Sequence, residues 1–226
     1  FGTKSLKGFG IEKLELAIIS ADVILHYINT TEHHKISHIT SVQRIEKDHH
    51  VWMDDFTISN LELIQSPHFN GHTLFEILDQ TVTSMGGRLL KRWMLFPLKS
   101  KKEIDYRLDQ VNYFFNHKDD ADLVKEKLEA IGDLERMSSR LAVLKISPRE
   151  LNQLKSSLEI IKPVKEWALG CNNKTIQKWG ESLSENNKVI EKIEEALDPA
   201  APVVIGKEKV IKDGFHEEID ELRSLS

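Results

Sequence analysis

Residues 60–98, NLELIQSPHFNGHTLFEILDQTVTSMGGRLLKRWMLFPL, decide how this chain folds. Met85, Leu89, Trp93 and Phe96 recur at helical spacing, and Leu90 with Met94 widens the apolar stripe. The helix they predict starts near Thr83 or Ser84 and stops at Pro97, whose ring clashes with the preceding turn and which has no N–H to donate. Gly86-Gly87 in its first turn costs about 1 kcal/mol per residue against alanine, which points either to a close neighbour or to a frayed end. Upstream, Ser66-Pro67 and Asn70-Gly71 are breaks. Thr73 can cap a short turn that faces Leu74, Ile77 and Leu78 inward.

Toward the N-terminus, Asp54-Asp55 offers a cap for a brief helix through Leu63. Ile39–Ile45 and His50–Met53, joined by Glu46-Lys47-Asp48, read as a β-hairpin. From Ile11 the residues Leu14, Ile18, Ala21, Leu25 and Ile28 repeat at helical spacing, with Ile19, Val23 and Ile24 broadening the face. Residues 1–10 hold three glycines and read as loop.

Toward the C-terminus the pattern is helix upon helix. Ile104, Leu108, Val111 and Phe115 form one stripe, Leu123, Leu128 and Ile131 another. Asp133 caps a third helix with Leu134, Met137, Leu141 and Leu144 on its inner face. Ser147-Pro148-Arg149-Glu150 combines a hydroxyl cap, a harmless first-turn proline and the acid of a capping box. Leu151, Leu154, Leu158 and Ile161 follow, and Pro163 should kink or end that helix. Ile176, Trp179 and Leu183, then Ile190, Ile193 and Leu197, continue the theme before the break at residues 198–202. Val203–Ile205 and Val210–Ile211 read as a second small hairpin, and Phe215, Ile219 and Leu222 as the inner face of a last helix. The expected fold is mainly α, a multi-helix domain with one or two short β-hairpins.

The 226 residues are 40% hydrophobic and 30% charged, enough for a sizeable core in one domain or one and a half. A net charge of -5 advertises no global basic field for nucleic acid. Cys171 is the single cysteine, so no internal disulfide is possible. No apolar run reaches the roughly 20 residues of a membrane helix, and no signal-peptide pattern leads the chain. Without an initial Met, and with a helical pattern still running at Ser226, it reads as a piece of a longer protein.

Chemistry finds little purchase. His33, His34, His38, His49 and His50 could cluster, but adjacent histidines on a strand face opposite sides, and neither cysteine pairs nor an H-E-x-x-H spacing supports zinc. Gly170-Cys171-Asn172-Asn173-Lys174-Thr175 ends like a phosphate loop yet has Asn173 where the glycine before lysine must stand; a helix connection fits better. Cys171 has no histidine partner in sequence, and Asp54-Asp55 and Asp119-Asp120 suit caps and loops. Arg88, Lys91 and Arg92, with Lys99, Lys101 and Lys102, make a basic face for phosphates, for carboxylates of a neighbouring domain, or simply for solvent. An independent helical DNA-binding module built on Arg88, Lys91, Arg92 and Lys102 is the alternative reading.

Ordered wording runs across the chain in Asn60-Leu61-Glu62-Leu63, Thr73-Leu74, Leu78-Asp79 and residues 81–93. Gly132-Asp133-Leu134-Glu135-Arg136, Arg140-Leu141-Ala142 and Ser147-Pro148-Arg149-Glu150-Leu151 continue it. Together these strings resemble the bacterial MutS family, DNA mismatch-recognition ATPases. Val210-Ile211-Lys212-Asp213-Gly214-Phe215, then residues 218–223, is similar to the family's helix rising toward the DNA clamp. The resemblance implies that residues 1–31 are the end of the connector domain with its linking helix, and residues 32–226 the core (lever) domain. The family's N-terminal mismatch-reading domain with its Phe-x-Glu wedge, its clamp and its ATPase with the Walker A loop are not in these 226 residues.

The implied role is mechanical and non-enzymatic: relaying nucleotide state from the ATPase to the clamp during mismatch repair, part of the DNA damage response. No cofactor is expected on this chain, whereas ATP and Mg are expected on the parent protein. Implied partners are mismatched double-stranded DNA, a second subunit and a MutL-like protein, in a cytoplasmic, nucleoid-associated setting with no membrane. Arg88, Arg92, Asp133 and Arg136 are the candidates for inter-domain contact.

Overall fold

A computed structural model describes residues 14–31, 39, 49–206 and 208–225. Among them the architecture is helical: α1 (Glu15–Thr30), α2 (Asp55–Asn60), α3 (Leu74–Leu78), α4 (Ser84–Leu95), α5 (Lys101–Asn116) and α6 (Lys118–Glu129) come first. α7 (Leu134–Ala142), α8 (Pro148–Glu159), α9 (Ile161–Gly170), α10 (Lys174–Ser182), α11 (Asn187–Ala196) and α12 (Glu217–Ser224) complete the chain. No described helix is long and apolar enough to cross a membrane.

Local capping sets most of the boundaries. Asp54 accepts the Thr57 N–H at the start of α2. Thr73 and Glu76 close a capping box on α3, and Ser147 and Glu150 another on α8. Each pairs free N–H groups at a helix start with a side chain only three residues away, so the sequence alone specifies it. Pro163 interrupts the helical run as expected. α8 ends at Glu159, and the proline falls in the first turn of α9, where its missing N–H has no helical partner to lose.

Two clusters form the core. Tyr113 of α5 meets Ala168, Cys171 and Ile176, with Phe114, Trp167 and Trp179 packed around them. Met137 of α7 meets Leu154 and Leu158 of α8, flanked by Leu134, Leu141, Ile146, Leu151, Ile161 and Ile190. The buried Ser157 hydroxyl accepts the Gly132 N–H at 3.0 Å and donates to the Gln153 carbonyl at 2.8 Å. It leaves no buried polar atom unpaired there.

Two expectations are corrected, and a third is tested only in part. The stripe Ile104, Leu108, Val111 and Phe115 is not core: its members are 37 to 75% exposed, and α5 turns Tyr113 and Phe114 inward instead. Periodicity marks a face that prefers to be covered, but the aromatic face of α5 finds Trp167 and Trp179 whereas the aliphatic one meets no described helix to bury it. The second hairpin does not form as read, because Ile211 bridges Leu197 rather than residues 203–205. Pairing there covers the buried Leu197, while Val203, Val204 and Ile205 remain exposed and gain nothing from a ladder. His50 bridges Leu98 beyond α4, with the Val51 N–H donating to the Pro97 carbonyl at 2.8 Å. The other arm of the first hairpin, apart from Ile39, lies outside the described residues.

Truncating the buried Leu154 to alanine should cost about 2–5 kcal/mol of unfolding free energy in a urea titration. Val111→Ser, on the uncovered face of α5, should stay within about 0.5 kcal/mol of the parent chain.

Candidate functional site

The loop before α4 folds tightly over its first turn. Asp79 accepts both the N–H and the hydroxyl of Thr81, at 3.0 and 2.6 Å, and Thr83 accepts the Gly86 N–H at 3.0 Å. A Cβ on Gly86 would lie 3.0 Å from the Thr83 hydroxyl and 3.2 Å from the Thr81 Cβ, and one on Gly87 3.3 Å from Asp79. The two glycines therefore serve a close approach, by this loop's side chains, and not a frayed end.

One residue later Arg88 leaves the helix and forks. Its Nη1 and Nη2 donate to the two carboxylate oxygens of Asp133 at 2.9 and 2.7 Å. Its Nε and Nη2 donate to Oε2 of Glu135 at 2.9 and 2.6 Å. The planar guanidinium suits this double acceptance, which an ammonium could not reproduce.

Asp133 stands where it does for local reasons. It is the N-cap of α7 and accepts the Arg136 N–H at 3.2 Å. Gly132 before it lies against Met137 and Gln153, which a Cβ would meet at 3.0 Å. The Arg88 guanidinium holds the Asp133 carboxyl below its ordinary value of 3.8, against partial burial and with help from the Arg136 N–H. The Asp133 and Glu135 carboxylates in turn push the Arg88 guanidinium up. Arg88 remains 42% exposed and Asp133 18%, so the clasp sits at the surface, within reach of solvent and salt.

Of the four candidates from the sequence, the fold gathers Arg88, Asp133 and Arg136, whose Nε lies 3.8 Å from Asp133. Arg92, one turn further along α4, joins no ion pair among the described residues. Sequence reasoning missed Glu135; an acid two residues after the cap of α7 was its one signal. With Arg88 engaged by two carboxylates of its own chain, the basic face loses its first cation as a phosphate ligand.

The remaining candidates are structural. Asn173 caps α10 by accepting the Thr175 and Ile176 N–H groups at 2.8 and 3.1 Å, which makes residues 170–175 a helix connection. Asp120 is gripped by the Tyr113 hydroxyl at 2.6 Å and the Trp167 indole N–H at 2.9 Å. Those two donors hold its carboxyl below the usual range, and burial pushes the Tyr113 hydroxyl up. Cys171 lies buried beside this pair at the foot of a groove of about 860 Å³. Among the described residues no group of three or more His, Cys, Asp or Glu could hold a metal ion; His33, His34 and His38 lie outside them.

A family model for MutS domain III matches residues 56–225. The DNA mismatch repair protein MutS of Christiangramia forsetii is 47% identical over all 226 residues, and the chain spans 26% of that relative's length. The MutS proteins of Bacteroides thetaiotaomicron and Flavobacterium psychrophilum are 46% and 47% identical over the same span, again 26% of each.

A depressed carboxyl stabilises the fold above its unfolded pKa, and the contribution fades as pH falls through the folded one. The clasp should therefore be complete at pH 7 and lost below the ordinary Asp value of 3.8. Arg88→Gln should lower the thermal midpoint at pH 7, and the gap from the parent chain should close as melts are repeated toward about pH 3.

Proposed function

The chain belongs to the MutS family, and from that premise we propose that it works as a mechanical link in a longer mismatch repair protein, not as a catalyst. In this reading residues 1–31 close the connector domain and supply its linking helix, and residues 32–226 form the core, or lever, domain. ATP and Mg are bound elsewhere in the parent protein. Mismatched double-stranded DNA, a second subunit and a MutL-like protein are partners of the whole protein, which works in the cytoplasm at the nucleoid. The link carries nucleotide state from the ATPase to the DNA clamp.

One observation carries the reading: α4 is tied to the start of α7, 45 residues away in sequence, through the fork of Arg88. Coupling between distant sites needs stiff elements with more than one discrete arrangement. Capped helices supply the stiffness. A surface ion pair supplies a joint that can open without unfolding the core beneath it. The rival reading, an independent DNA-binding module on Lys91, Arg92 and Lys102, has lost the Arg88 cation on which it leaned.

The test introduces Arg88→Ala into a full-length MutS protein and measures mismatched-DNA binding with and without ATP. Binding without nucleotide should stay near the parent value. The ATP-induced change in DNA affinity should shrink by about 2- to 30-fold, the range that 0.5–2 kcal/mol of coupling produces. An unchanged ATP response would overturn the link. So would ATP hydrolysis by the purified 226-residue chain, or submicromolar, mismatch-selective DNA binding by it.

A further inference from the structure

One side chain beside the clasp makes no hydrogen bond in it. Arg136 stands three residues after Asp133, the N-cap of α7, and only its backbone N–H donates to the cap, to Oδ1 at 3.2 Å. The same position after the caps of α3, α5 and α8 holds Glu76, Glu103 and Glu150. The positive end of a helix favours acids there, so a cation in the first turn of α7 gains nothing from its own helix. What its side chain faces is the carboxylate of the cap.

Arg88 already engages both oxygens of that carboxylate, Oδ1 through Nη2 at 2.7 Å and Oδ2 through Nη1 at 2.9 Å. Nε of Arg136 lies 3.8 Å from Oδ2, too far for a hydrogen bond, and its side chain is 82% exposed. Asp133 is the one ion-pair partner of Arg136 among the described residues. Arg140, one turn further along α7, is matched by Glu150 at 2.5 Å. A carboxylate oxygen has two acceptor sites, so Oδ2 can take a new donor before it loses the old one. A second guanidinium therefore stands, unengaged, within easy reach of the carboxylate that holds the first.

We propose that Arg136 is a positioning residue that takes over Asp133 when Arg88 releases it, so that the clasp opens by exchange of one guanidinium for another. A largely covered carboxylate left without a cation opposes opening, whereas one passed to a cation on its own helix does not. Glu135, at 65% exposed, needs no substitute, because water solvates it. The joint then has two discrete arrangements: Arg88 on Asp133 with Arg136 in solvent, and Arg136 on Asp133 with α4 released. Discrete arrangements of this kind are what coupling between distant sites requires. The exchange rests on the relay reading for its purpose alone. It is measured in the 226-residue chain without nucleotide or DNA, whereas the relay is measured by the ATP response of a full-length protein.

Native-state hydrogen exchange separates such a receiver from a residue that merely holds the clasp shut. In an Arg136→Gln chain the open arrangement loses its substitute cation. Amides of α4 should then exchange about two- to fivefold more slowly than in the parent chain, the range that exposed ion pairs produce. A residue that only stabilised the closed clasp would give faster exchange. Relief of repulsion between the two guanidinium groups would also slow α4, so a second background is needed. In an Arg88→Ala chain Arg136 already holds Asp133, whose carbonyl accepts the Met137 N–H at 2.9 Å. There Arg136→Gln should lower the protection of the Met137 amide by a similar factor, and Arg136→Lys, which keeps the charge, should preserve it. Unchanged or faster exchange of α4 in the first background, or unchanged protection of Met137 in the second, would overturn the proposal. So would equal loss of that protection with lysine and with glutamine.

Discussion

The helix α4 has no fully buried residue: Met85, Leu90 and Met94 are half-buried, and its position depends in part on directional contacts. Chief among these is the fork of Arg88 onto Asp133 and Glu135. The stack of Arg107 on Trp93, 3.7 Å from the ring centroid, and the bridge between His50 and Leu98 are others. Hydrophobic burial is non-directional and changes little with salt. A bidentate ion pair at the surface is directional and is weakened by salt and acid. The attachment of α4 to the helices behind it is therefore specific in geometry and conditional in strength.

Behind that attachment the packing is of the other kind. Met137, Leu154 and Leu158 are buried together, and the one hydroxyl among them, Ser157, is paired twice. Asp120 is clamped between Tyr113 and Trp167, tying the N-terminus of α6 to α5 and α9. These elements form a stiff base. The contrast between a close-packed base and a half-buried helix tied to it by polar contacts is the physical ground for the proposed link.

What could be read from the sequence is what is local. Thr73, Thr83, Asp133 and Ser147 each cap a helix through a donor three residues on, so their roles stand in the sequence itself. The mainly helical class followed from such signals and from apolar spacing. What could not be read is long-range. The inner face of α5 depends on Trp167 and Trp179, more than 50 residues away, and the partner of Ile211 is Leu197 rather than the nearer Val203–Ile205. The candidate residues show the same division. The charge of Arg88 was plain, but the identity of its acceptors required the fold to bring α7 alongside, and Glu135 went unnoticed for that reason. Arg92 has the same chemistry one turn away and has no such acceptor among the described residues.

Amide hydrogen exchange, resolved by residue, measures the central dependence most directly. With Arg88→Ala, amides of α4 should exchange faster than in the parent chain, while those of α8, over the Met137–Leu154 core, keep their protection. Unchanged exchange in α4, or equal acceleration in both helices, would contradict the dependence of α4 on the Arg88 fork.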